Sequence, residues 1–272
     1  MQKKALEINL YVVGAGAFGV FLRWLQDQLA FNELGLADRS LLHILVPLFL
    51  LAAALVFLRF LNRMRDARQF LPEDIGKALR NEGRLFLLCR WAAGGVMCLG
   101  ALLLFAASEI DKYVGMIRLL ALLGLLTGVS YPLLLGEVNK KRRSARRLAV
   151  YAFVPVLTFA VWLVTSYREN SINSVIWAYA MDIFAPIAAM IAFFYLAGFA
   201  FGSPDGRRSM FWAMFAAVMC LMALADERYL GMQLMLLGAA LLLVLTNWIM
   251  VTNLQQGAAR EKRKTEDGFE RL

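Results

Sequence analysis

Apolar residues in this chain are gathered into eight long runs, at about residues 9–25, 41–61, 86–107, 117–137, 148–166, 175–201, 210–225 and 232–252. Short segments carrying most of the charge separate them. Each run is close to the ~20 residues that a helix needs to cross a hydrocarbon core of about 30 Å. None shows the strict alternation of a half-buried strand. A lipid-facing backbone must satisfy its hydrogen bonds within its own segment, so the eight runs predict eight transmembrane helices and an all-α polytopic membrane protein.

Composition agrees with the pattern. Of 272 residues, 61% are hydrophobic and 18% charged, against roughly 45–50% and about 25% in soluble domains. The net charge of +9 does not form one patch, so no nucleic-acid partner is expected. Basic residues concentrate instead at the N-terminus (Lys3, Lys4), in segments 59–84 and 140–147, at Arg207 and Arg208, and in the tail after residue 260. The intervening segments hold few, such as Arg39, Lys112 and Arg228. By the positive-inside rule this alternation predicts a multi-pass protein of a bacterial cytoplasmic (inner) membrane, with both termini cytoplasmic. Lys3, Lys4 and Ala15-Gly16-Ala17 resemble a signal peptide with a small-residue cleavage site. The internal matches described next favour a permanent first span.

Four stretches recur in the same order in the two halves of the chain. Residues 21–25 match 159–163 through Phe, Trp and Leu. His43 to Pro47 matches Asp182 to Pro186, and Val96-Met97-Cys98-Leu99 matches Val218-Met219-Cys220-Leu221. Residues 111–116 match 227–232 through an acid, a base, Tyr, Gly and Met. The expected organisation is therefore two tandem parallel four-helix repeats, 1–138 and 139–252, related by an axis along the membrane normal. A cytoplasmic helical loop is expected at about 62–85, and a charged cytoplasmic tail at 253–272. Within that loop, 70–84 reads as a short helix in which Pro72, Glu73 and Asp74 suit the first turn.

Few residues suggest chemistry. His43, the sole histidine, and its counterpart Asp182 are ionisable groups inside spans, which makes them candidates for gripping a polar ligand or relaying a proton. Their bland reading is a position near the headgroups, where polarity costs little. Pro47 and Pro186 each remove a backbone donor and predict kinks at matched positions. Tyr113 and Tyr229 are candidate ligand lips or ordinary interfacial aromatics. Tyr131 and Asn247, with Ser130, Thr246 and Thr127, either line a site or join helices by hydrogen bonds. Arg90 either snorkels to the headgroups or pairs with Glu137. The sequence Gly14-x-Gly16-x-x-Gly19 has the form of a dinucleotide fingerprint, but it lies in a span with no βαβ unit, so Ala15 and Gly19 read as a helix-packing pair. Cys89, Cys98 and Cys220 fall in apolar runs without metal-ligand spacing. No catalytic motif, metal site or cofactor is expected.

The first span and the segment after it, Phe21-Leu22-Arg23-Trp24-Leu25 and Glu33-Leu34-Gly35-Leu36, resemble a family of uncharacterised polytopic integral membrane proteins of clostridia-like bacteria. The resemblance covers the first two spans, and the rest of the chain shares only the topology. It implies a membrane fold and brings no activity. Three functions are open on these grounds. The first is small-molecule transport or ligand binding between the repeats, near the outer side. The second is a non-catalytic anchor or accessory subunit docking a cytoplasmic protein partner. The third is a quinone-binding redox anchor.

Overall fold

The computed structural model describes residues 2–29, 42–64, 74–81, 83–108, 114–170, 176–226 and 228–269, with side chains described for 5–29, 43–64, 74–81, 83–108, 114–170, 179–226 and 228–254. All regular structure among them is helical: α1 (Gln2–Leu29), α2 (Leu42–Arg63), α3 (Ile75–Ala78), α4 (Arg84–Ala107), α5 (Val114–Glu137), α6 (Ala145–Asn170), α7 (Ile176–Gly198), α8 (Gly206–Met222), a 3-10 turn (Ala223–Ala225) and α9 (Leu230–Phe269). Eight of these, all except α3, are long and apolar enough to cross a membrane. Their bounds fall within about four residues of the apolar runs, except that α1 begins at Gln2, before its run at 9, and α9 continues to Phe269, past its run's end at 252. The helices overrun the runs because a helical backbone keeps its hydrogen bonds beyond the hydrocarbon, where polar side chains are tolerated. Among the described residues 74–81 of the helix expected at 70–84, the single turn α3 is helical. Asp74 is its N-cap rather than a first-turn residue, and its carboxylate accepts from the Gly76 amide at 3.1 Å. Pro72 and Glu73 lie outside the described residues.

The order of packing is a ring. Helices α4, α5, α6, α7, α8 and α9 each lie against the next, and α9 closes the circle on α4. The hairpin α1–α2 stands outside, with α1 seated mainly on α8. Burial follows this order: 22% of the α2 span is buried, against 67% of the α9 span. Two like bundles about a twofold axis would pair α1 with α6, α4 with α8 and α5 with α9. The close seat of α1 on α8 and of α4 on α9 would then be mirrored by α6 on α4 and α8 on α5. Among the described residues neither mirror pair packs comparably.

Successive spans run in opposite directions, so the molecule has two ends. At the basic end, Glu137 meets Arg147 at 3.9 Å, and Asn253 of α9 donates to the Ala78 and Arg80 carbonyls at 2.8 and 2.9 Å. Asn81 donates there to Leu135 O of α5 at 3.0 Å, and Asn139 donates to Asn81 O at 2.6 Å. These amides satisfy carbonyls that helix ends leave open. They also clasp the segment after α2 onto α5 and α9. At the far end lie the C-termini of α1, α4, α6 and α8.

In lipid, helices associate through close van der Waals contact and interhelical hydrogen bonds rather than through water exclusion. Both devices are present. Helix α4 approaches α9 through Gly100, Gly231 and Gly238; a Cβ on Gly100 would lie 2.6 Å from Gly231 O, and one on Gly238 would lie 2.7 Å from Met97 Cβ. Gly115, the sequence counterpart of Gly231, meets nothing within 4 Å. Gly16 and Gly19 of α1 face Leu221 and Met222 of α8, and Ala15 packs against the buried core as well. Hydrogen bonds inside the bundle join Thr127 to Thr158 at 2.6 Å, Tyr131 to Thr246 at 2.9 Å, and Asn247 to Asn9 at 3.1 Å.

Candidate functional site

The far end holds a chain of polar side chains that crosses the boundary between the hairpin and the ring. It begins at Arg23, in the last two turns of α1 and 2% exposed. Its Nε donates to Asp226 Oδ1 at 2.6 Å, and its Nη1 donates to Gln26 Oε1 at 2.7 Å. A guanidinium has no acceptor, so the Gln26 carbonyl must face Arg23 and its NH2 must face His43. Gln26 Nε2 accordingly donates to His43 Nδ1, at 3.1 Å. With Nδ1 accepting, a neutral His43 carries its proton on Nε2.

On the other side of Asp226 stands Arg228, in the link between α8 and α9. Its Nη2 donates to Asp226 Oδ2 at 3.0 Å and forms an ion pair with Asp182 of α7. Gln233 Nε2 donates to the Asp226 carbonyl at 3.2 Å. Two arginines thus balance two aspartates within the chain. Charge pairing is what makes burial of such groups tolerable, since an isolated buried ion costs several kcal/mol or more.

His43 and Asp182, expected as a pair, therefore belong to one network without touching. Gln26, Arg23, Asp226 and Arg228 stand between them. Two of those intermediates are guanidinium groups, which do not release their protons at any pH a protein meets. The network balances charge and does not relay a proton along its length.

Beside Arg228 a cavity of about 480 Å³ opens between α6, α7 and α9. Trp162, Ser166, Glu169 and Asn170 form its α6 wall; Asp182, Arg228, Tyr229 and Met232 form the rest. All eight belong to 139–252, so the cavity lies within the second set of four spans and not between the two sets. The Arg228 side chain is 5% exposed, and its Nε and Nη1 are buried without any acceptor among the described residues. A buried donor left unmade costs about 1–3 kcal/mol, and more when charged.

From Trp162 in the cavity wall a ladder of buried rings leads inward. Trp162 stacks on Phe159 at 5.6 Å, Phe159 on Phe193 at 5.6 Å, and Phe193 meets the Tyr131 ring edge-on at 5.1 Å. All four rings are at most 1% exposed. This ladder runs from α6 across α7 to α5.

Of the expected site residues, Asp182 and Tyr229 line the cavity. His43 stands behind it, on Gln26. Tyr131 and Asn247 are buried in the interhelical hydrogen bonds described above and do not line it. Pro47 is exposed on the outer hairpin and Pro186 is buried in α7; neither reaches the cavity. Tyr113 lies outside the described residues. Glu137, the pairing alternative to snorkelling for Arg90, is taken by Lys140 at 2.5 Å and by Arg147. The sequence reading missed Arg23, Gln26, Asp226, Arg228 and Trp162 as members of one site. The signal was Arg23: a cation at the end of an apolar run requires a partner, and the nearest acid in space lies 203 residues away in the chain.

Among the described residues the chain is all-helical, with eight helices long and apolar enough to cross a membrane and a charge-balanced network at the far end. No family model matches the chain, and no curated protein and no solved structure was found to match it.

Proposed function

We propose that this integral membrane protein binds a small solute in the far-end cavity, as the first step of transport or reception. The observation that carries this reading is Arg228. Its guanidinium is buried in the cavity wall with two nitrogens lacking an acceptor among the described residues. A solute that brings an acceptor, such as a carboxylate, phosphate or carbonyl oxygen, would satisfy them, while Trp162 and Met232 offer an apolar surface to the rest of the molecule. The positive-inside rule puts the basic end in the cytoplasm and the cavity outside. The packed aromatic ladder beneath then corresponds to a site open to one side of the membrane. The tandem sequence matches fit an old duplication of parallel four-helix units whose products no longer pack alike.

Binding to the folded state alone raises its stability by RT ln(1 + [L]/Kd). Purified protein in mild detergent is therefore expected to melt at higher temperature with some members of a panel of small carboxylates, organic phosphates and zwitterions. Asp182→Asn and the cavity-filling Ser166→Met should abolish that rise, and His43→Ala should keep it. An undiminished rise in both cavity variants would place the ligand elsewhere.

One observation favours the anchor reading as a second possibility. Helix α9 has 40 residues, about 60 Å at 1.5 Å per residue, roughly twice the hydrocarbon core. Its end therefore projects past the basic end as a rod to which a cytoplasmic protein could dock. A stoichiometric partner in mild-detergent pull-downs, lost when 255–272 are deleted, is what that reading requires. The quinone reading gains nothing from His43, which is bonded to Gln26 and does not line the cavity.

A further inference from the structure

We infer that a second binding site, for a phosphate group, lies at the basic end between the start of α4 and the end of α5. A cavity of about 410 Å³ opens there, lined by Asn81, Gly83, Arg84, Leu87, Arg90 and Asn139. Two cations line it, and no carboxylate does among the described residues. The nearest acid of α5, Glu137, is already paired with Lys140 and Arg147. Arg90 Nε is buried without an acceptor among the described residues. Its Nη1 and Nη2 lie over Gly136, where an added Cβ would come within 3.2 and 3.3 Å of them, so the glycine makes the space in which the guanidinium lies.

The walls are fixed. Asn81 and Asn139 are hydrogen-bonded to each other, and Asn81 also donates to Leu135 O, so their amides hold the shape of the cavity. Gly83 turns the chain at φ 128°, a conformation that favours glycine, and no side chain caps the start of α4. The first amides of α4 therefore add positive potential beside the two arginines.

Phosphate suits this set because a guanidinium pairs with it through charge-assisted, often bidentate hydrogen bonds. The group could belong to an anionic lipid headgroup or to a soluble phosphate. Leu87 lines the cavity, and Leu85 and Leu88 beside it are 69% and 66% exposed. That gives an acyl chain an apolar surface running away from the arginines.

The test is native mass spectrometry of the full chain in mild detergent, titrated with phosphatidylglycerol, phosphatidylcholine or inorganic phosphate, with melting temperature read in parallel. If the source is lipid, phosphatidylglycerol is retained in preference to phosphatidylcholine, and inorganic phosphate does not displace it. If the source is soluble, inorganic phosphate raises the melting temperature and neither lipid is preferred. In either case Arg84→Gln and Arg90→Gln should each weaken the effect about fivefold, and Arg90→Lys should keep part of it. Gly136→Val should weaken it without removing a charge, by displacing the guanidinium. Arg84 is exposed, so Arg84→Gln keeps the test decisive if Arg90 variants fail to fold. No preference for phosphatidylglycerol together with no effect of phosphate, or effects unchanged in Arg84→Gln, would overturn the site.

Discussion

Arg23 is 2% exposed and bonded at 2.6 Å to an aspartate that is 8% exposed. Removing one partner of a buried pair costs about 3–5 kcal/mol, because the other charge is left buried. Arg23→Ala is therefore expected to cost close to 3 kcal/mol, at the low end because Arg228 still holds Asp226. Denaturant or thermal unfolding in detergent measures this, and the double variant Arg23→Met with Asp226→Leu should recover most of the loss. A loss below 1 kcal/mol for the single variant would mean that the network is not structural. At this scale the sequence was partly legible. His43 and Asp182 were marked by being ionisable within apolar runs, and both proved to be in the network. Arg23, Asp226 and Arg228 were not marked, because a charge near the edge of a run looks like an ordinary interfacial residue until its partner is seen in space.

The helices themselves were legible because membrane thickness dictates their length, whatever they pack against. Their faces were not. Leu10 is 70% exposed and Leu236 is fully buried, yet lipid and protein interior favour the same residue. Only small residues break this degeneracy, since a glycine lets two backbones meet. Gly238→Ala, which would set a Cβ 2.8 Å from the Met97 amide nitrogen, should cost about 1–3 kcal/mol by overpacking the α4–α9 contact. Gly95, on the same helix α4, meets nothing within 4 Å, so Gly95→Ala should be neutral or slightly stabilising. Parallel melting curves of the two variants separate close packing from helix propensity; equal shifts would refute the contact.

At the scale of the whole molecule, most of the described basic residues lie at one end, while the far end holds Arg23, Arg118, Arg168 and Arg228. If the basic end is cytoplasmic, a cysteine at Tyr167, exposed in the last turn of α6, should react from outside cells with a membrane-impermeant maleimide. One at Lys141 should not. Both would be tested with Cys89, Cys98 and Cys220 replaced by alanine, and the reverse pattern would invert the assignment. The order of packing was hidden in the sequence because helices adjacent in the chain need not be the ones that bury most surface together. The outer hairpin has a consequence for how the protein is made. Helices α1 and α2 leave the ribosome well before α8, on which α1 sits. While the chain from Arg23 to its aspartate, 203 residues on, is being made, Arg23 is at the membrane without its partner, so the nascent hairpin must be sheltered by the insertion machinery or held near the headgroups until Asp226 arrives.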